Sequence, residues 1–248
     1  MDIVFKGREV SFPASGLDGM APVESFDDPA LGLVRVFDAA DAQSAPGPFR
    51  PLRDLFASVE AARFNAAVRA FELLHWRRTY RFCPRCGASL RRKEGADRAM
   101  RCDSCRADFF PRIDVAVIMA IEFGGKLLLA EREASGGGRI WSLIAGFVEP
   151  GETLEEAARR EAMEEVGIEL DRLDYIRSQP WPYPSQLMVG FRARAKSGDL
   201  RPDGNEVKKA GWHSPDDLPA NLPNQWSIAR FLINAWLGES GGARRESE

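Results

Sequence analysis

Seven glutamates and two arginines occupy Gly146 to Ile168, a formal charge of −5 within one short stretch. The last three, Glu161, Glu164 and Glu165, share one arc of a helix. At about 100° per residue, Glu165 lies about 40° from Glu161 on one side and Glu164 about 60° on the other. Like charges so crowded repel, and they make sense when a hard divalent cation, Mg²⁺ or Mn²⁺, sits against them. Such an ion takes its remaining ligands from water and substrate phosphate. The bland alternative is a solvated acidic face. The helix that must carry these residues is marked at both ends: Thr153-Leu154-Glu155-Glu156 forms a capping box directly after Pro150-Gly151, and Gly167 belongs at a C-terminal stop.

The four cysteines of the chain stand as Cys83-Pro84-Arg85-Cys86 and Cys102-Asp103-Ser104-Cys105, two C-x-x-C pairs separated by fifteen residues. This spacing fits a tetrahedral four-thiolate Zn²⁺ site, each pair gripping the ion from a tight turn. Gly87 suits the left-handed backbone of such a turn. Four thiolates leave zinc no open position for water, so the metal is expected to be structural. Two disulfides are disfavoured by the lack of a signal-peptide pattern, and a redox motif has no use for the second pair. The ribbon window is basic: Arg77 to Arg112 holds eleven Lys/Arg against four Asp/Glu. A solvated face is the commoner meaning of such a run, although a ribbon can also meet nucleic acid.

Around these motifs, Ile3 to Phe5 and Leu33 to Phe37 look like short strands, and Leu52 to Trp76 repeats apolar residues at helical spacing. Residues 1–75 therefore read as a small α+β segment, followed by the ribbon at 76–112. Val115 to Glu122 and Lys126 to Glu131 read as strands joined at Gly124-Gly125, opening a mixed α/β domain over 113–240. Residues 241–248 are expected to be a disordered tail. The chain has 248 residues, 44% hydrophobic and 29% charged, which excludes wholly disordered, collagen-like and coiled-coil classes. Its net charge of −3 sets up no global field toward nucleic acid or membrane. The longest apolar stretch is far short of the ~18 residues of a membrane span, and the N-terminus lacks a leader pattern, so a cytoplasmic location is expected. His75 and His213 carry no catalytic signal.

From Gly146 to Ile168 the sequence matches G-x5-E-x7-R-E-U-x-E-E-x-G-U at every specified position, with U apolar, and so resembles the Nudix box. The resemblance implies the Nudix fold, a mixed sheet between helices, and hydrolysis of a nucleoside diphosphate linked to another moiety. Carried over residue by residue, Glu161 and Glu165 would be metal ligands, and Glu164 a ligand or the proton acceptor for the attacking water. The backbone carbonyl of Ala145 would be a further ligand, and Glu152 and Arg160 a structural salt bridge.

Downstream, Ser178-Gln179-Pro180-Trp181-Pro182-Tyr183-Pro184-Ser185-Gln186 alternates prolines with aromatics. The prolines favour an extended backbone that cannot be an inner strand, a rigid loop suited to a flat ring; a Pro-rich connector is the plain alternative. With the ribbon ahead of the box, the stretch resembles the aromatic array of NADH pyrophosphatases. Tyr183 stands where the array has Phe, Gln186 where it has Ser, and Phe110 where relatives often have Tyr. The family resemblance implies cleavage of NAD(H) to NMN(H) and AMP, removal of NAD caps from RNA, and a homodimer. It also gives Glu206 a metal-binding role and places Ala229 on the substrate site. A Nudix enzyme acting on ADP-ribose or another dinucleotide is the nearest competing reading. A non-catalytic nucleotide- or RNA-binding module would predict losses among Glu161, Glu164 and Glu165, and all three are present.

Overall fold

The computed structural model describes residues 1–39, 46–56, 58–93, 95, 98–133 and 137–245. Two compact units emerge: Met1–Ile113 with Trp181–Ser185, and Asp114–Pro180 with Gln186–Glu248.

In the first unit, β1 (Asp2–Lys6), β2 (Glu9–Ser11), β3 (Glu24–Asp28), β4 (Gly32–Asp38) and β5 (Arg50–Pro51) form a sheet in the order β3-β4-β1-β2-β5. Helix α1 (Ala61–Thr79) lays Phe64, Val68, Phe71 and Leu74 into a core with Ile3, Phe5, Val34 and Val36. The helix expected from Leu52 is broken: Leu52–Leu55 is a 3-10 turn, and α1 begins only at Ala61. The hydroxyl of Ser58 donates toward the carbonyls of Asp54 and Leu55, a local side-chain bond that competes with helix propagation. The ribbon follows as β6 (Leu90–Arg92), β7 (Met100–Cys102) and β8 (Asp108–Phe109), a three-stranded sheet in chain order.

The second unit contains β9 (Asp114–Phe123), β10 (Lys126–Glu133), β11 (Arg139–Ser142), β12 (Ile144–Phe147), α2 (Leu154–Val166), β13 (Leu170–Trp181), β14 (Gln186–Ala195), β15 (Lys209–His213) and α3 (Ile228–Arg245). Its seven strands run β11-β10-β9-β14-β13, with β12 paired to β9 and β15 to β10. Strand β9 reads as an unbroken apolar run because both of its faces are covered. Val117, Met119 and Ile121 point into the core shared with Ala157, Ala158 and Ala162 of α2, whereas Ile118 and Ala120 pack with Ile228, Leu232 and Ile233 of α3. This is the expected mixed sheet between helices.

Two expectations change in detail. The proline-aromatic stretch is not a free loop: it closes a hairpin, with Gln179–Trp181 ending β13 and Gln186–Met188 opening β14. Pro180 is tolerated in a strand because β13 is the edge of its sheet, where a missing N–H costs no ladder bond. The tail expected to be disordered from residue 241 is helical as far as Arg245, and residues 246–248 lie outside the described residues.

Candidate active site and zinc ribbon

Helix α2 begins and ends where its sequence says. Thr153 accepts from the N–H of Glu156 while the Glu156 carboxylate accepts from the N–H of Thr153, and Gly167 closes the helix at φ 68°. These caps fix the rotation of the helix, which separates the three glutamates by burial. Glu165 is 3% exposed, the Glu161 side chain 12% and the Glu164 side chain 61%. Strand β12 runs beside them. Ala145 pairs with Ile118 of β9, and Gly146 lies so close to α2 that a Cβ there would stand 1.9–2.2 Å from the carboxyl atoms of Glu161. Only glycine leaves room for that carboxylate where it stands.

Arg160 ties the cluster together. Its Nε and Nη2 grip the two oxygens of Glu152 at 2.6 and 2.9 Å, Nη2 also donates to the Phe147 carbonyl, and Nη1 reaches Glu161 at 2.8 Å and Glu164 at 3.0 Å. The Arg160 guanidinium, helped by the N–H of Glu149, holds the Glu152 carboxyl down at about 2. Glu165 moves the other way. Burial pushes its carboxyl up to about 7 against the opposing pull of Arg132, and the charges of Glu161 and Glu206 add to the rise. Arg132 Nη2 donates to Glu165 Oε2, while Oε1 is buried with no hydrogen-bond partner. A buried orphan oxygen beside further carboxylates is the donor chemistry that a hard cation satisfies. The donor chemistry of Glu165 suits a divalent ion, although no three of these carboxylates bring their oxygens within 4.8 Å of one another.

Glu206 is exposed, in the segment before β15, and lines a cavity of about 440 Å³ together with Arg132, Arg139 and Lys208. Arg132 is the residue that sequence reasoning missed. The signal was present: strand alternation puts Arg132 on the side of β10 that carries Leu128 and Ala130, the side facing α2.

The remaining candidates fall in both units. In the second, the Gln179 amide donates to the Trp226 carbonyl at 2.9 Å and its Oε1 is buried without a partner. Pro180 is exposed, Gln186 is registered with Asp114 of β9, and Ala229 is buried on α3. In the first, Trp181 meets Tyr183 edge-on at 5.4 Å, Pro182 is buried, and burial raises the Tyr183 phenol. Pro184, Ser185 and Phe110 also belong there, Phe110 being 57% exposed.

In the ribbon, Cys83 Sγ stands 3.6 Å from Cys105 Sγ, and Cys86 Sγ 3.5 Å from Cys102 Sγ. Disulfide sulfurs would be about 2.05 Å apart, whereas the edge of a tetrahedron with Zn–S of ~2.3 Å is ~3.8 Å. Among the described residues, these four thiols are the one set of three or more His, Cys, Asp or Glu side chains whose ligand atoms all lie within 4.8 Å of one another. The two turns are built alike, with Gly87 at φ 74° in the first and Arg106 at φ 58° in the second.

Comparison with known proteins agrees with both motifs. Residues 110–235 match the NUDIX domain model, and residues 78–110 match that of the NADH pyrophosphatase zinc ribbon domain. The chain is 40% identical over 194 residues to the NAD-capped RNA hydrolase NudC of Pseudomonas syringae pv. tomato, covering 77% of this chain and 68% of the relative. It is 41% identical over 194 residues to the protein of the same name from Chromobacterium violaceum, covering 78% and 72%. Among solved structures, a NUDIX hydrolase from Nitrosomonas europaea aligns with a TM-score of 0.53 at 28% identity, over 64% of this chain and 91% of that one. With its carboxylate helix, its four-thiol ribbon and these matches, the chain belongs to the Nudix hydrolase family, in the group that carries the NADH pyrophosphatase zinc ribbon.

Proposed function

We propose that this protein hydrolyses the pyrophosphate bond of NAD(H), giving NMN(H) and AMP, and removes NAD caps from RNA by the same reaction. The observation that carries the hydrolytic reading is the buried, unpartnered Oε1 of Glu165 beside Glu161. The choice of NAD(H) rests on the proline-aromatic stretch and on the relatives' names.

Mg²⁺ or Mn²⁺ would be held by Glu161, Glu165, Glu206 and the carbonyl of Ala145, and would supply neutralisation of phosphate charge and acidification of water. Glu164, the most exposed of the three helix carboxylates, accepts a proton from the attacking water, and its solvent access lets that proton leave. Arg160 holds Glu161 and Glu164 in mutual register. As the water oxygen bonds to one phosphorus, the bridging P–O bond breaks and its electron pair leaves with the other phosphate. Phe110, Gln179, Pro180, Trp181, Pro182, Tyr183, Pro184, Ser185, Gln186 and Ala229 are assigned to the substrate, with the aromatic faces stacking on its rings.

One structural Zn²⁺ per chain is assigned to Cys83, Cys86, Cys102 and Cys105. The functional division proposed is 1–75, ribbon 76–112 and Nudix domain 113–240, in a cytoplasmic homodimer. Among the described residues no helix is long and apolar enough to cross a membrane.

The test is chromatography of products formed from NADH, NAD⁺, ADP-ribose and NAD-capped RNA with Mg²⁺ or Mn²⁺. NMNH and AMP are expected from NADH. Turnover of ADP-ribose alone would overturn the substrate assignment.

A further inference from the structure

Among the described residues, three arginines grip a carboxylate fork to fork, two nitrogens on two oxygens, and Arg192 Nη2 reaches both oxygens of Glu122. Arg35 holds Asp2 at 2.8 and 2.6 Å, Arg78 holds both oxygens of Asp38, and Arg160 holds Glu152. Such fork-to-fork pairs are the strongest an arginine makes with a carboxylate. Their carboxylates retain 17–22% side-chain exposure. Arg132 and Glu165 meet through one oxygen, as do Arg91 with Asp103, Arg139 with Glu131 and Arg194 with Asp171, but those three arginines are at least half exposed and Arg132 is not. The Glu165 side chain is only 4% exposed, yet Arg132 reaches it with Nη2 alone, to Oε2 alone. Arg132 Nε and Glu165 Oε1 are both buried and unpartnered. In a low-dielectric site each such atom is costly, so an end-on grip is the less stable arrangement unless Oε1 serves something else.

Building on the cation site proposed above, we propose that Arg132 is its positioning residue: the guanidinium occupies Oε2 of Glu165 and turns Oε1 alone toward the divalent ion. The strand and the helix make this possible together. Arg132 lies on β10, whose α2-facing side carries Leu128 and Ala130 in the core, and its position there is fixed by pairing with Ile140 of β11. The same side chain lines the cavity that Glu206 also lines. Arg132 thus restricts Glu165 to one ligand atom and keeps the carboxylate from turning its other oxygen to the ion. It is distinct from Arg160, which serves Glu152, Glu161 and Glu164 and does not bond Glu165.

The experiment is Mn²⁺ titration by calorimetry and by electron paramagnetic resonance on the full-length wild type, Arg132→Met, Arg132→Lys and Glu165→Gln. Each is first checked for folding by thermal melt without added metal. Arg132→Met is expected to weaken Mn²⁺ binding tenfold or more and to change the spectrum of the bound ion, and Arg132→Lys, with one donor to offer Oε2, to recover part of the affinity. If Arg132→Met does not fold, Arg132→Lys carries the test, since a point donor without the planar fork is expected to bind Mn²⁺ several-fold more weakly than the wild type. Affinity and spectrum equal to wild type in the folded variant, or tighter binding, overturn the role of Arg132 and leave it a mere counter-charge. Equal Mn²⁺ binding by the wild type and Glu165→Gln instead overturns the cation site itself, a failure distinguishable from the first.

Discussion

Burial disfavours the charged form of a carboxylate, and Glu165 is among the most buried charged residues described in this protein. Its single charged partner and its orphan oxygen make it the residue whose substitution separates stability from chemistry. Glu165→Gln is nearly isosteric, so its melting temperature is expected to stay within a few degrees of wild type while kcat falls by several orders of magnitude. Near-normal turnover at saturating Mg²⁺ would remove Glu165 from the site. Glu152 gives a prediction of opposite character. Its carboxyl sits at about 2 in the fold because of Arg160, against 4.5 as its ordinary value. The stabilisation is complete above pH 4.5 and is lost as pH falls toward 2. Glu152→Gln is therefore expected to lower the melting temperature at pH 7 and to bring variant and wild type together near pH 2. A gap that stays constant over that range would refute the ion pair as its cause. At this scale the sequence was legible for Glu161, Glu164 and Glu165, because a helical period orders them, whereas the Glu152–Arg160 pair came only through the resemblance to the Nudix box. For Arg132 strand alternation gives the side of β10 it faces but not its partner, which lies 33 positions away and is brought to it only by the fold.

Among the elements, β12 and α2 approach so closely that a Cβ at Gly146 would oblige the end of the Glu161 side chain to move. Gly146→Ala would drive a methyl into the Glu161 carboxylate, and the expected result is loss of at least 100-fold in kcat/KM, on the order of 3 kcal/mol, with a smaller effect on melting. Activity within a few-fold of wild type would mean that Glu161 can sit elsewhere. The hairpin of β13 and β14 invites a second test. If Trp181 stacks on a substrate ring, Trp181→Ala should cost tens-fold in kcat/KM on NADH, the ~1 to 3 kcal/mol of one stacked base, and much less on a pyrophosphate substrate lacking the second ring. Equal losses on both substrates together with a lower melting temperature would make Trp181 a packing residue. The boundaries of α2 and the β9–β10 hairpin could be read directly, since Thr153, Gly167 and Gly124-Gly125 act locally. The strands β2, β3 and β5 could not, being only two to five residues long; β2 and β3 pair with their chain neighbours β1 and β4, and β5 returns to β2 from about forty residues on. Arg106 also escaped notice, since nothing about an arginine announces a left-handed turn.

In the whole molecule, each unit has its own apolar core, and the ribbon belongs to the first. Zinc bound by the four thiols would contribute folding free energy there. One zinc per chain is expected by elemental analysis, and Cys102→Ser is expected to lower the calorimetric transition of the first unit while that of the Nudix unit holds its position. Less than about a tenth of an equivalent in chelator-free protein would count against the site. The division into units carries a consequence for how the protein is made. The first unit is not continuous in sequence: its last five residues, Trp181–Ser185, follow the whole of β9 to β13. A chain emerging from the ribosome folds from its N-terminus at the pace of synthesis, so the first unit can be completed only after the whole of β9 to β13 has been made.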